Sequence, residues 1–261
     1  CLIGNSLPCL ILSNILINKN IKISIFQESK QKRKFTTRTL GISKNNIEFL
    51  KKEKINIENK AWNINRIKIF NESQKKEILS FGDNKKELFS IIKNFKFIKL
   101  FNNNIKKKKL VTFIKTRKAT FYKNIIKGKN KFDLVINFDE KNEISKKIFF
   151  NREKRDYNSL SYTTIIKHKK CNNREAHQIF TNSGPIAFLP CSKNETSIVY
   201  SIFNKKKITF DEEIFSMIQK YNSRYLIESF SKFEKFELKG SVLKKYNYNN
   251  ILCFGDNIHK I

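Results

Sequence analysis

Residues 1–26 constrain the fold more than any other part of the chain. Cys1 to Ile3 are apolar, Gly4-Asn5-Ser6 is a turn sequence, and Leu7 to Ile17 is almost continuously apolar; after Asn18-Lys19-Asn20, Ile21 to Phe26 forms a second extended run. This pattern predicts a strand, a tight turn, a buried helix and a second strand. A helix without a polar face needs cover on several sides, which suits the βαβ opening of a parallel sheet. Pro8 fits the first helical turn, where its missing N–H has no intrahelical partner to lose.

Further along, Ile47 and Leu50 suggest another helix, and the partly alternating apolar residues between Trp62 and Phe81 suggest short antiparallel strands. Leu88, Ile91, Ile92 and Phe95 recur at helical spacing, with Asp83 or Asn84 as N-cap. Leu110 to Ile114 and Phe132 to Ile136 read as strands separated by polar, Lys-rich sequence. From Tyr162 onward the chain changes character, with strand-like runs at Tyr162 to Ile166, Ala187 to Leu189 and Ile198 to Phe203, then a helix over Asp211 to Tyr221. Ile251 to Phe254 is a strand that returns to the α/β frame. The expectation is therefore an α/β protein carrying an α+β insertion. Residues 1–55, 88–140 and 246–261 are expected to form one domain, and 56–87 with 141–245 the other.

The 54 Lys and Arg outnumber the 23 Asp and Glu, a formal charge of +31. Such a charge ordinarily points to nucleic acid or an anionic membrane. Lys, Asn, Ile and Phe are abundant together, however, while Gly and Pro number only 7 and 3; a bias of that breadth reads as pressure on the coding sequence. A basic nucleic-acid-binding module remains the rival from another class, supported by Lys interspersed with Phe and Tyr. The five cysteines, Cys1, Cys9, Cys171, Cys191 and Cys253, include no CxxC pair, which suggests a reducing compartment and no thiolate metal site. His168, His177 and His259 are dispersed, so no metal site is expected. Cys191 reads as a small apolar filler, or as a reactive thiol if exposed. The Lys106 to Lys109 and Lys205 to Lys207 runs read as solvated faces that could attract anionic lipid at about 1 kcal/mol per residue. No apolar stretch reaches the roughly 18 residues of a spanning helix.

A dinucleotide cradle needs a glycine for the turn, a second for close approach of pyrophosphate, and a third small residue where helix meets strand. Gly4, Ser6 and Cys9 occupy those positions, and the helix N-terminus would present N–H groups to a phosphate. The same residues also suit an ordinary buried strand-turn-helix. Gln27 and Glu28 end the second strand, where a ribose-binding residue normally sits. Asp139 and Asp256 each follow a strand, placing them either as contacts in the ligand crevice of an open α/β sheet or as helix N-caps.

Taken together these segments resemble the flavin-dependent aromatic hydroxylases of ubiquinone biosynthesis, within the class built like para-hydroxybenzoate hydroxylase. Thr37-Arg38-Thr39-Leu40-Gly41-Ile42-Ser43 looks like the family's Arg-containing motif. Leu134 to Glu140 falls where the family has its strand and Gly-Ala-Asp-Gly segment, with Asn137 and Glu140 in place of both glycines. Ala176 to Pro190 is the strongest match to the ubiquinone branch. Leu252-Cys253-Phe254-Gly255-Asp256-Asn257-Ile258-His259 resembles the second flavin motif. The four lie in family order over essentially the whole chain.

The resemblance implies a three-layer FAD/NAD(P)-binding, Rossmann-like domain with an inserted mixed-sheet substrate domain. It implies FAD held by Gly4, Ser6 and Cys9 at the pyrophosphate, Gln27 near the ribose, Arg38 along the dinucleotide, and Asp139, Gly255 and Asp256 around the ribityl-pyrophosphate region. Gly184, Pro185, Ala187 and Leu189 would lie on the substrate strand; the bland reading is a strand and turn shaped for packing. The implied activity is hydroxylation of a polyprenylated phenol with NAD(P)H and O2 through a flavin C4a-hydroperoxide, with no side chain acting as catalytic acid or base. The implied setting is cytoplasmic, peripheral on the inner face of the membrane, beside other ubiquinone-biosynthesis proteins and without nucleic acid. The alternatives are a hydroxylase of a small soluble aromatic and a flavin-less scaffold. The family continues with a His-Pro and Gly-Gln-Gly stretch beyond Ile261, so the chain is expected to be a fragment, and no targeting peptide is expected at its start.

Overall fold

The structure, a computed structural model, describes residues 1–27, 37–72, 76–83, 86–106, 108–129, 131–203 and 211–260. Glu28, Asn84, Lys107 and the run Lys205-Lys206-Lys207 lie outside the described residues. The chain divides into two compact units. Cys1–Arg33, Ile98–Asp156 and Lys239–Ile261 form the first, and Lys34–Phe97 and Tyr157–Leu238 the second.

The first unit opens with β1 (Leu2–Ile3), α1 (Leu7–Asn18) and β2 (Ile23–Phe26), the order read from the sequence. Further strands are β8 (Val111–Phe113), β9 (Val135–Asn137), β16 (Asn247–Tyr248) and β17 (Ile251–Cys253), numbered along the whole chain. They form one sheet in the order β16-β17-β9-β1-β2-β8, parallel except for β16. The chain runs from β1 outward through β2 to β8, then returns to the other side of β1 at β9. The carboxyl ends of β1 and β9 thus flank a topological switch point, where open α/β sheets bind ligands.

Helices cover the central strands of the sheet, β1, β2, β9 and β17, whose residues are mostly buried on both faces. The segment between β8 and β9 contains α4 (Lys118–Ile126), a helix hidden in Lys-rich sequence that reads as a polar connection. Its Phe121, Tyr122 and Ile125 are buried with Ile3, Phe26 and Val135, and Phe26 stacks on Phe121 with centroids 3.9 Å apart. Ile144 of α5 (Glu143–Lys147) joins the same core. Within α1, Cys9, Leu10 and Ile17 are buried. Asn14, also buried there, donates to the Leu10 carbonyl at 2.8 Å and to the Phe101 carbonyl at 3.4 Å in α3 (Asn94–Lys106).

The second unit holds a small antiparallel sheet of β3 (Thr39–Ser43), β7 (Phe89–Lys93) and β4 (Trp62–Ile64), with β7 central. This corrects the expected helix over 88–95: residues 89–93 are a strand, and helix α3 starts at Asn94. Ser90, Ile91 and Ile92 are consecutively buried, the mark of a central strand covered on both faces, whereas a helix would bury only one side of that run. Helix α2 (Lys44–Lys52) buries Ile47 and Leu50 as expected, started by the Ser43 side chain accepting from the Asn46 N–H.

The larger sheet contains β5 (Arg66–Asn71), β6 (Lys76–Phe81), β10 (Arg152–His168), β11 (Glu175–Thr181), β12 (Gly184–Pro190), β13 (Glu195–Phe203), β14 (Ile227–Phe230) and β15 (Glu234–Leu243). Its order is β15-β10-β13-β12-β11-β5-β6, with β14 also on β10. The hairpin of β5 and β6 is antiparallel, but β5 joins β11 in parallel, a long-range pairing without a local signature. Helix α6 (Asp211–Tyr221) seats Ile214 and Ile218 against Tyr162, Ile186, Phe188 and Tyr200. In the first unit, β18 (His259–Lys260) pairs with the Ser241–Val242 end of β15. Among the described residues no helix is long and apolar enough to cross a membrane.

Candidate functional site

The candidate site of the first unit forms where β1, β9 and β17 end around the first turn of α1. Gly4 leaves β1 with φ +129, and a Cβ there would lie 3.2 Å from the Phe138 Cβ. Only glycine both adopts this conformation readily and lets the two backbones approach so closely. Gly255, after β17, approaches from the other side: a Cβ there would sit 3.0 Å from the Pro8 Cβ and 3.7 Å from the Phe138 ring. The Phe254 N–H donates to the Asn137 carbonyl at 3.0 Å, tying the ends of β17 and β9 together. Four expected site residues, Gly4, Ser6, Asp139 and Gly255, therefore meet at one corner of the sheet.

The Ser6 side chain makes no capping hydrogen bond to α1, and no acidic residue lies in the first turn. The first turn of α1 thus brings the positive end of the helix dipole to this corner with no carboxylate of its own to neutralise it. Cys9, in place of the third small residue, is fully buried, and its thiol donates to the Gly4 carbonyl at 3.5 Å. Gln27 directly follows β2 and is half-buried. Asp256 is exposed beside Gly255, whereas Asp139 is partly turned into its own loop, accepting from the Lys141 N–H at 2.8 Å.

Asn137, which stands in place of a glycine, anchors a buried polar network. Its Nδ2 donates to Ser145 at 2.9 Å, and its Oδ1 accepts from Asn142 at 2.7 Å and from the Asp139 N–H at 3.2 Å. The Asn257 amide donates to the Asn137 carbonyl at 2.9 Å and accepts from Arg152. Asn137 and Asn257 are fully buried, and Asn142 and Ser145 nearly so. Sequence reading missed Asn142, Ser145, Arg152 and Asn257. Asn142 caps α5 through the Ser145 N–H, a pattern visible locally, but the reach of Arg152 to Asn257 spans 105 positions. Glu140, the second glycine replacement, pairs with Lys260 at 3.6 Å, so its charge is countered within the chain.

Arg38 lies in the second unit, where its guanidinium sits 4.1 Å above the Phe236 ring. Burial lowers its pKa, opposed by the nearby Glu234 carboxylate. The flanking Thr37 hydroxyl is 2.9 Å from that of Thr163. Along β12, Ile186, Phe188 and Pro190 are buried while Pro185, Ala187 and Leu189 share the opposite, half-buried face. Gly184 answers a backbone demand: at φ +135, a Cβ would lie 2.1 Å from the Ser201 carbonyl oxygen.

The scattered histidines have separate settings. His168 is buried, with Nδ1 2.9 Å from the Lys169 carbonyl, which can only accept, and Nε2 3.0 Å from the Thr196 hydroxyl. His177 contacts Glu175 at 2.6 Å, and His259 is exposed on β18. The Cys191 thiol, pushed up to about 12 mainly by burial, donates to the Leu189 carbonyl, the behaviour of a filler rather than a nucleophile. Among the described residues no group of three His, Cys, Asp or Glu side chains could hold a metal ion.

No known family profile and no curated protein matches the chain in sequence. Solved structures do match it in shape. The tetrameric form of 2-methyl-3-hydroxypyridine-5-carboxylic acid oxygenase superposes with a TM-score of 0.73 at 11% identity, covering 99% of this chain and 74% of that one. p-Nitrophenol 4-monooxygenase PnpA from Pseudomonas putida DLL-E4 gives 0.76 at 8% identity over 99% and 72%. PqsL from Pseudomonas aeruginosa, a probable FAD-dependent monooxygenase, gives 0.75 at 12% identity over 100% and 79%. The chain thus has the fold these oxygenases share. The expected fold class, a Rossmann-like α/β part with a mixed-sheet α+β part, is the one observed.

Proposed function

We propose that the chain belongs to an FAD-dependent monooxygenase that hydroxylates the ring of a polyprenylated phenol in ubiquinone biosynthesis, using NAD(P)H and O2. The observation that carries the cofactor assignment is the convergence of Gly4, Gly255 and the uncapped start of α1 at the switch point of a parallel sheet. The residues present fit a pyrophosphate: no carboxylate lies in the first turn of α1, and Glu140 is paired with Lys260. The N–H groups of that turn and the Ser6 hydroxyl would hold the phosphates, while Gln27 and Asp256 would accept from sugar and ribityl hydroxyls. Hydride acceptance and oxygen transfer to an electron-rich ring are the chemistry FAD supplies when bound. The protein's contribution is to bind, orient and exclude water, which requires no side-chain acid or base.

The narrower substrate assignment is supported by the resemblance of Ala176 to Pro190 to the ubiquinone branch, with Pro185, Ala187 and Leu189 as substrate-facing residues. A polyprenyl tail accords with peripheral attachment to an anionic membrane through the lysine-rich surface.

The test is the visible absorption spectrum of the purified protein, before and after incubation with FAD. Two flavin bands in near-stoichiometric amount are expected. A folded, colourless protein that takes up no FAD overturns the assignment and leaves the scaffold reading. If FAD binds, reduction of the bound flavin by NAD(P)H that is accelerated by a prenylated phenol, but not by a small soluble phenol, supports the substrate class; the reverse preference sinks it.

A further inference from the structure

The second unit contains a polar cleft of about 440 Å³ lined by Asn65, Asn172, Arg174, Glu175 and Arg224, none of which the flavin chemistry uses. The parallel pairing of β5 with β11 sets Arg66 opposite Glu175 and Lys68 opposite His177 on one face, behind the Glu175 wall of the cleft. Arg224, just beyond α6, reaches into the same group. It donates to Glu175 Oε1 at 3.1 Å and to the Asn172 carbonyl at 2.6 Å. Lys68 and Arg66 lie 3.7 and 3.9 Å from Glu175 Oε2, and Lys68 also lies 3.5 Å from Glu77. Arg174 sits at the rim, its guanidinium 5.5 Å from the ring centre of Trp62, the chain's single tryptophan.

We propose that this cleft is a phosphate-binding site. Arg174 and Arg224 line the cleft and Arg66 and Lys68 stand behind its Glu175, four positive charges against the two carboxylates of Glu175 and Glu77, an excess of two that matches a phosphate dianion. His177 adds no lasting charge, because burial holds its pKa below the ordinary value against the pull of Glu175. Burial alone would raise the pKa of Glu175, but His177, Lys68 and Arg224 bring it below its ordinary value, so the carboxylate stays ionised and holds the cations in place. The side chains of Arg66, Lys68 and Arg224 are only 31%, 26% and 25% exposed, so the cluster is half-buried and not a solvated face. The exposed guanidinium fork of Arg174, backed by the charge of Arg224 in the same concavity, supplies the directed donors that a tetrahedral oxyanion takes and chloride does not need.

The experiment titrates sodium phosphate, and separately phenyl phosphate, into the purified protein at an ionic strength held constant with sodium chloride. Binding heat and Trp62 emission are followed together. Saturable binding is expected, weakened about tenfold in Arg174→Gln and in Arg224→Gln, each losing a charge-assisted contact. Arg174 is exposed, so its variant keeps the test valid if Arg224→Gln fails to fold. Equal affinity for the two probes identifies the free ion, whereas tighter phenyl phosphate identifies a phosphate borne by an organic ligand. Absence of saturable binding for both probes overturns the proposal, as does binding unchanged in Arg174→Gln. Binding lost in Arg174→Gln belongs to this cleft and not to the first turn of α1 in the other unit, so the result is read independently of whether the protein takes up FAD.

Discussion

The Asn257 side chain donates to the main-chain carbonyl of Asn137 at 2.9 Å, joining the segment in which Asn137 and Glu140 replace both motif glycines to the Gly255-Asp256 turn after β17. Both residues are fully buried. Replacing Asn257 with alanine leaves Arg152 short of its side-chain acceptor and the Asn137 carbonyl short of one donor, at a cost of about 2 kcal/mol. Asn137→Gly restores a glycine of the resembled motif but removes one hydrogen-bond partner each from Asn142 and Ser145, so it too is expected to destabilise by about 2 kcal/mol. Urea denaturation measures both, and a variant as stable as the parent means the network contributes nothing.

A second relationship controls the acid limb of stability. Tyr221, Lys220 and the Asn182 N–H all donate to Glu72, with the tyrosine hydrogen bond contributing most, and bring its pKa from 4.5 to about 2. A carboxylate lowered on folding stabilises above its unfolded pKa and loses that contribution as pH falls through the folded value. The loss belongs between about pH 4.5 and 2 and amounts to about 1 kcal/mol after solvent screening. Glu72→Gln is expected to flatten this part of a stability-against-pH curve; an unchanged slope refutes the assignment.

Thiol chemistry separates the cysteines. Burial pushes Cys191 and Cys253 up to about 12, and Cys9 is wholly buried. Iodoacetamide at pH 8 is expected to leave these three unmodified in the native protein and to label them on unfolding, as read by peptide mass spectrometry. Rapid native labelling of Cys191 would revive its reading as a reactive thiol.

Gly184 separates packing from recognition on β12. With a Cβ required to lie 2.1 Å from the Ser201 oxygen, Gly184→Ala is expected to cost about 3 kcal/mol or more, or to yield no folded protein. Leu189→Ala, on the half-buried face among Trp62, Ile67 and Phe89, is expected to fold with a smaller loss. Chemical denaturation of both variants decides the order; a reversal means the hairpin backbone tolerates a side chain.

The elements legible in the sequence are those whose signals are local. The β1-α1-β2 opening follows from an apolar run bounded by turn residues, and α6 from Ile214 and Ile218 one helical turn apart behind three acids. Gly4, Gly255 and the exposed Asp256 could be picked out because a turn at a strand end has a recognisable composition. The 88–95 segment misled because Ile91 and Ile92 fit a helical face and a doubly covered strand equally well; the hydrogen bonds from β7 to β3 and β4 decide between them.

Patterning along the chain thus decides which residues are apolar, where turns fall and which glycines stand at strand ends. It does not decide partners. The parallel seam of β5 and β11, the pairing of Glu140 with Lys260 and the Arg152-Asn257-Asn137 network each join residues far apart in the chain. Their hydrogen bonds and ion pairs depend on distances of a few ångströms that exist only once the sheets have assembled, and no local pattern in the chain encodes those distances.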